Sequence, residues 1–144
     1  MLKLAPKQDT LTVLLIDDDL VSREVMATVL TMSGYAVHTA AGGEASLELL
    51  HGGCVPGVIL VDAQMPGLSG SQLIQGLRER SRAAIYVISA SNAADEMVAA
   101  ADGFLLKPLT ADGLQKLLKV HAPQVARSRP VQPAPAPIPQ NPSA

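Results

Sequence analysis

Short aliphatic runs alternate along this chain with stretches whose apolar positions recur every three and four residues. Residues 11–16 (LTVLLI) are continuous and aliphatic, the pattern of a strand buried on both faces. From Leu20 to Met32 the positions Val21, Val25, Met26, Val29 and Leu30 fall on one helical stripe, and Ser33-Gly34 closes it with a glycine suited to a helix terminus. Residues 35–39 predict a second strand, and 44–50 a short helix ending at His51-Gly52-Gly53. Residues 58–61 (VILV) predict a third strand, after which Leu73, Ile74 and Leu77 mark a helix to about Arg80. Residues 84–88 (AIYVI) predict a fourth strand, 93–101 a short helix and 104–106 a fifth strand. Thr110 then caps a last helix that holds Leu114, Leu117, Leu118 and Val120.

Five strands alternating with five helices require right-handed crossovers. The expected fold is therefore α/β, a doubly wound parallel sheet with helices on both faces. In such sheets the functional crevice lies outside the carboxyl ends of the strands. The pattern stops near residue 121. Seven of the chain's eleven prolines lie in 122–144, alternating with small residues, which predicts a disordered Pro/Ala-rich tail or linker in place of helix or strand. The folded unit is then 10–121, long enough to bury one core.

Composition narrows the function. Hydrophobic residues at 48% and charged residues at 17% exclude an intrinsically disordered chain. Aromatics at 2% leave an aliphatic core and no stacking platform for single-stranded nucleic acid. A net charge of −2 gives no electrostatic footprint for duplex DNA or an anionic membrane. The single Cys54 excludes a disulfide framework and a cysteine zinc site, and suits a reducing, cytoplasmic compartment. No apolar run approaches the ~18 residues of a membrane span. Two lysines precede the first apolar run as in a signal peptide, but that run is short and enters three aspartates, so it reads as a strand.

The strand ends carry the chemistry. Asp17, Asp18 and Asp19 follow the first strand, Asp62 the third, Ser89 the fourth and Lys107-Pro108 the fifth. Gathering Asp17, Asp18 and Asp62 at one sheet edge costs several kcal/mol of repulsion unless a cation or proton intervenes. Carboxylates with a main-chain carbonyl suit Mg²⁺, and no His or Cys is present there to favour a softer metal. Lys107 offers a point charge for a phosphoryl oxygen, and the Ser89 hydroxyl a hydrogen bond. Asp19 fits a helix cap as well as it fits the acid cluster. His38, His51 and His121 are far apart in sequence and read as surface or partly packed groups. Arg78, Arg80 and Arg82 read as a solvated basic face.

With these residues in view the chain resembles the receiver (response regulator) domain of two-component phosphorelay signalling. The resemblance rests on LLIDDDLVSREVM, VDAQMPGLSG, VISAS and GFLLKPL, in that order over about residues 11–120. It implies a flavodoxin-like strand order of 2-1-3-4-5. It also implies roles: Asp62 as phosphoacceptor, and Asp17, Asp18, Asp62 and the Gln64 carbonyl as Mg²⁺ ligands. Lys107 becomes the phosphoryl-binding lysine, followed by a cis peptide to Pro108, while Ser89 and Phe104 become the switch pair. The implied function is a switch, not an enzyme. It accepts a phosphoryl group from a histidine kinase or phosphotransfer protein and acts on a protein partner, with no direct nucleic-acid or membrane contact.

Two departures stand out. Leu20 occupies a position where the family often has proline, and the spacing from Ser89 to Lys107 is short by about one helical turn, so the fourth of the five helices is shortened. Two other readings remain. The chain is a receiver module of a larger hybrid kinase or multidomain regulator, or it is a Mg²⁺-dependent aspartyl-phosphate phosphohydrolase. The latter wants a second acid two residues after the nucleophile, where this chain has Gln64.

Overall fold

A computed structural model describes residues 10–64, 70–89 and 99–128. Five strands, β1 (Thr12–Ile16), β2 (Ala36–Ala40), β3 (Val58–Asp62), β4 (Ala84–Ser89) and β5 (Gly103–Leu106), form one sheet. All pairings are parallel and the order is β2-β1-β3-β4-β5, as expected. Among the described residues there are four helices: α1 (Leu20–Met32), α2 (Gly43–His51), α3 (Gly70–Arg80) and α4 (Ala111–Ser128).

The continuous apolar runs are explained by the two faces of the sheet. Leu14, Ile16, Ile59, Val61, Ile85 and Val87 face one way, against Leu50 of α2 and Leu73, Ile74 and Leu77 of α3. Their alternates Val13, Leu15, Val58 and Leu60 face the other way, against Leu30 of α1 and Leu114 and Leu118 of α4. Each fully buried Leu or Ile contributes roughly 1.5–3 kcal/mol. The central β3 is buried at every residue, whereas the outer β2 exposes His38 and Thr39.

Helix ends follow local chemistry. Asp19 caps α1, its carboxylate accepting from the Ser22 N–H at 2.8 Å, so the aspartate with two readings acts as the cap. Gly34, with φ at +98°, takes the left-handed turn that releases the chain toward β2. Thr110 caps α4 by accepting from the Gly113 N–H at 3.0 Å.

Three features differ from the sequence reading. First, α4 runs to Ser128, seven residues into the stretch expected to form the tail. Pro123 removes one N–H from the helix ladder, but Gln124, Val125, Ala126, Arg127 and Ser128 carry no further breaker, and the dense prolines begin only at Pro130. Second, the expected short helix over 93–101 falls mostly outside the described residues; Ala99 and Ala100 have helical backbone. Third, Arg78 is engaged as well as solvated. Its Nε and Nη2 donate to the Ala100 carbonyl at 3.2 and 3.0 Å, and Nη2 lies 3.3 Å from Asp102 Oδ1. Asp102 Oδ2 in turn accepts from the Ile85 N–H at 2.8 Å, so this arginine ties α3 to the segment entering β5.

Candidate functional site

Strand register decides which side chains meet. Ile16 pairs with Val61, so the next residues, Asp17 and Asp62, leave the sheet side by side. Ser89 pairs with Leu106, which places Lys107 just past Ser89, and the Lys107 N–H donates to the Ser89 carbonyl at 2.8 Å. All four sequence-singled strand ends therefore converge on one edge.

Asp17 and Asp62 are each 5% exposed, while Asp18 is exposed. One carboxylate oxygen from each of Asp17, Asp18 and Asp62 can be chosen so that all three lie within 4.8 Å of one another. Lys107 Nζ lies 3.4 Å from both Asp62 oxygens. The Gln64 N–H donates to Asp62 Oδ1 at 3.0 Å, and the Asp19 N–H to Asp17 Oδ1 at 2.9 Å. Burial lifts the Asp17 carboxyl above the usual carboxylate range, and Asp62 pushes it further, against the lowering effect of the Asp19 N–H. Asp19 is held below that range by its bonds from Ser22.

This is a pocket of negative charge with an all-oxygen donor set. A hard divalent cation fits it, since such ions take one or two carboxylates and leave room for water and phosphate oxygens. Ser89 is buried at the rim, and the peptide bond between Lys107 and Pro108 is cis. Phe104 lies farther back on β5 and is 42% exposed. The histidines lie apart from this edge: His38 and His51 are exposed, and His121 shares a 2.9 Å hydrogen bond with the Tyr86 hydroxyl. Sequence reasoning passed over Arg23, whose Nη1 donates to the Asp17 carbonyl at 2.7 Å; its place one turn after the cap Asp19 was the available signal.

Residues 13–119 match the response regulator receiver domain family. The chain belongs to that family. Receiver domains are regulatory phosphoacceptor folds of two-component signalling and also occur within hybrid kinases. Over 118 residues this receiver is 36% identical to the nitrate/nitrite response regulator protein NarL of Escherichia coli, covering 77% of this chain and 54% of that protein. It is 30% identical to the sensor histidine kinase RcsC of Salmonella typhi over 132 residues, 88% of this chain and 14% of that protein. The chain thus spans from about a seventh to about half the length of these two relatives. Among solved structures, the response regulator TrrA of Thermotoga maritima in complex with Mg²⁺–BeF superposes with a TM-score of 0.69 at 28% identity, covering 77% of this chain and 98% of that one.

The crowding of this receiver's carboxylates has a measurable cost. At neutral pH an ionised Asp17 is held against the preference of its site, so its charge opposes folding. Asp17→Asn keeps an oxygen to accept the Asp19 N–H and removes that charge. It is expected to stabilise the metal-free domain by at least about 1 kcal/mol, the scale of two like charges about 4 Å apart even in full water screening. Denaturant unfolding in chelator at neutral pH checks this; a variant less stable than wild type would show that the repulsion is compensated elsewhere.

Proposed function

We propose that this receiver accepts a phosphoryl group on Asp62 from a histidine kinase or phosphotransfer protein and thereby switches its affinity for a protein partner. One observation carries the reading: a buried Asp62 carboxylate contacted through both oxygens by Lys107, with Asp17 and Asp18 alongside.

In this reading an Asp62 oxygen attacks the donor phosphorus. The phosphorus–nitrogen bond to the donor imidazole breaks, its electron pair returning to that nitrogen, and an acyl phosphate remains. Lys107 then moves from pairing Asp62 to pairing a phosphoryl oxygen. Asp17, Asp18, Asp62 and the Gln64 carbonyl would hold Mg²⁺, which when bound neutralises charge on the transferring group. Ser89 and Phe104 would form the switch, the hydroxyl drawn toward the phosphoryl group and the exposed ring turning inward. The exposed apolar side chains Val21 and Val25 of α1, which line the groove beside Asp17 and Lys107, supply a surface for a donor protein.

The phosphohydrolase reading is weaker, because Gln64 stands where a general acid is needed and an amide does not transfer that proton. We read residues 10–121 as the receiver unit and those after Ser128 as a linker or tail, with the short coverage of the relatives favouring a module of a larger regulator. A cytoplasmic setting suits such a partner. Among the described residues no helix is long and apolar enough to cross a membrane.

Incubating the protein with acetyl phosphate and Mg²⁺, then measuring intact mass, tests the proposal. One added phosphoryl group is expected, and none once the divalent ion is chelated. Labelling that is indifferent to chelation would overturn the metal assignment, and no labelling under any condition would overturn the phosphoacceptor reading.

A further inference from the structure

We propose that Arg23 is a positioning residue that fixes the Asp17–Asp18 peptide and thereby aims Asp18 at the metal site, an inference resting on the Mg²⁺ reading above. Asp17 is held at three atoms. Its N–H donates to the Ala40 carbonyl at 3.1 Å, its Oδ1 accepts from the Asp19 N–H at 2.9 Å, and its carbonyl accepts from Arg23 Nη1 at 2.7 Å. The first contact fixes the exit from β1, and the second turns the Asp17 carboxylate. The third sets the plane of the peptide that leads into Asp18.

Asp18 is exposed, so packing does little to orient it, and the direction of its Cα–Cβ bond follows from that plane. The carbonyl of Asp17 precedes α1 and cannot enter its hydrogen-bond ladder, which begins with the Arg23 N–H donating to Asp19 O at 2.9 Å. Arg23 therefore grips the acid loop twice, by its backbone at Asp19 and by its guanidinium at Asp17. A charged donor at 2.7 Å makes a strong hydrogen bond, and a planar guanidinium fixes direction better than an ammonium does.

The charge of Arg23 separates this role from simple charge balance. A cation near a divalent-ion site repels the ion, so removing it on electrostatic grounds alone tightens binding. Losing the grip on Asp17 weakens binding, because an unpositioned Asp18 must be ordered by the metal. The two effects have opposite signs.

The test is Mg²⁺ titration by calorimetry at fixed ionic strength, with metal-free unfolding measured on the same samples. Arg23→Met keeps the apolar stem and so the fold, while removing donor and charge. It is expected to weaken Mg²⁺ about tenfold, the low end of the loss seen for groups that orient metal ligands, with little change in metal-free stability. Arg23→Lys is expected to recover part of that loss. Unchanged or tighter Mg²⁺ binding by Arg23→Met, with wild type binding normally, would overturn the role of Arg23 alone. Absence of Mg²⁺ binding by wild type would overturn this inference together with the metal reading beneath it.

Discussion

Asp62→Asn is expected to take up no phosphoryl group under conditions in which the wild-type protein is expected to take up one. The amide has no ionised oxygen with which to attack phosphorus, so the loss is expected to be complete by intact mass. The substitution is nearly isosteric, and the amide that replaces the carboxylate retains an oxygen for the Gln64 N–H now bonded at 3.0 Å, so the fold should survive. It also removes one of three crowded carboxylates, and unfolding in chelator should show no loss of stability. Equal labelling of the variant would move the nucleophile to another side chain, Asp17 or Asp18 first.

Lys107→Ala is expected to slow phosphoryl uptake by roughly 10²–10³-fold, the scale of removing one preorganised charge from a transition state. Among the described residues it is the cation in hydrogen-bond reach of Asp62, at 3.4 Å from both oxygens. Its side chain is 35% exposed and covers little apolar surface, so a large stability loss is not expected. A modest loss should appear in metal-free buffer, where Asp62 is left buried without its counter-ion, and Mg²⁺ should reverse it. Stopped-flow phosphorylation with paired unfolding curves measures both. Uptake at the wild-type rate would place Lys107 outside the chemistry.

What the sequence disclosed was local or periodic. Residues 58–61 read as a strand because the run is unbroken and aliphatic, a pattern that needs cover on both faces, and β3 is buried throughout. Once five strands were parallel, the groups after each had to share one edge, which is why Asp17, Asp62, Ser89 and Lys107 were legible together. The contacts that escaped depend on partners that no spacing rule connects. Arg78 was one charge in a basic cluster until Ala100, 22 residues later, came within reach. His121 meets Tyr86 across 35 residues. Arg23 was hidden differently: its target is a backbone carbonyl, so the sequence offered only its place one turn after the cap Asp19. The helix over 122–128 was missed because proline was weighed as a count over 122–144, whereas that stretch holds only Pro123.

The length of α4 has a mechanical consequence. Eighteen residues of continuous helix make a rod of about 27 Å, anchored near its start by Leu114 and Leu118. A slack tether would absorb any motion at the sheet, whereas a rod magnifies it. By the same geometry a tilt of about 10° at its base carries the far end through roughly 5 Å. In a receiver built this way, a tilt at the base of α4 would displace whatever follows Ser128 without first assembling a new contact face.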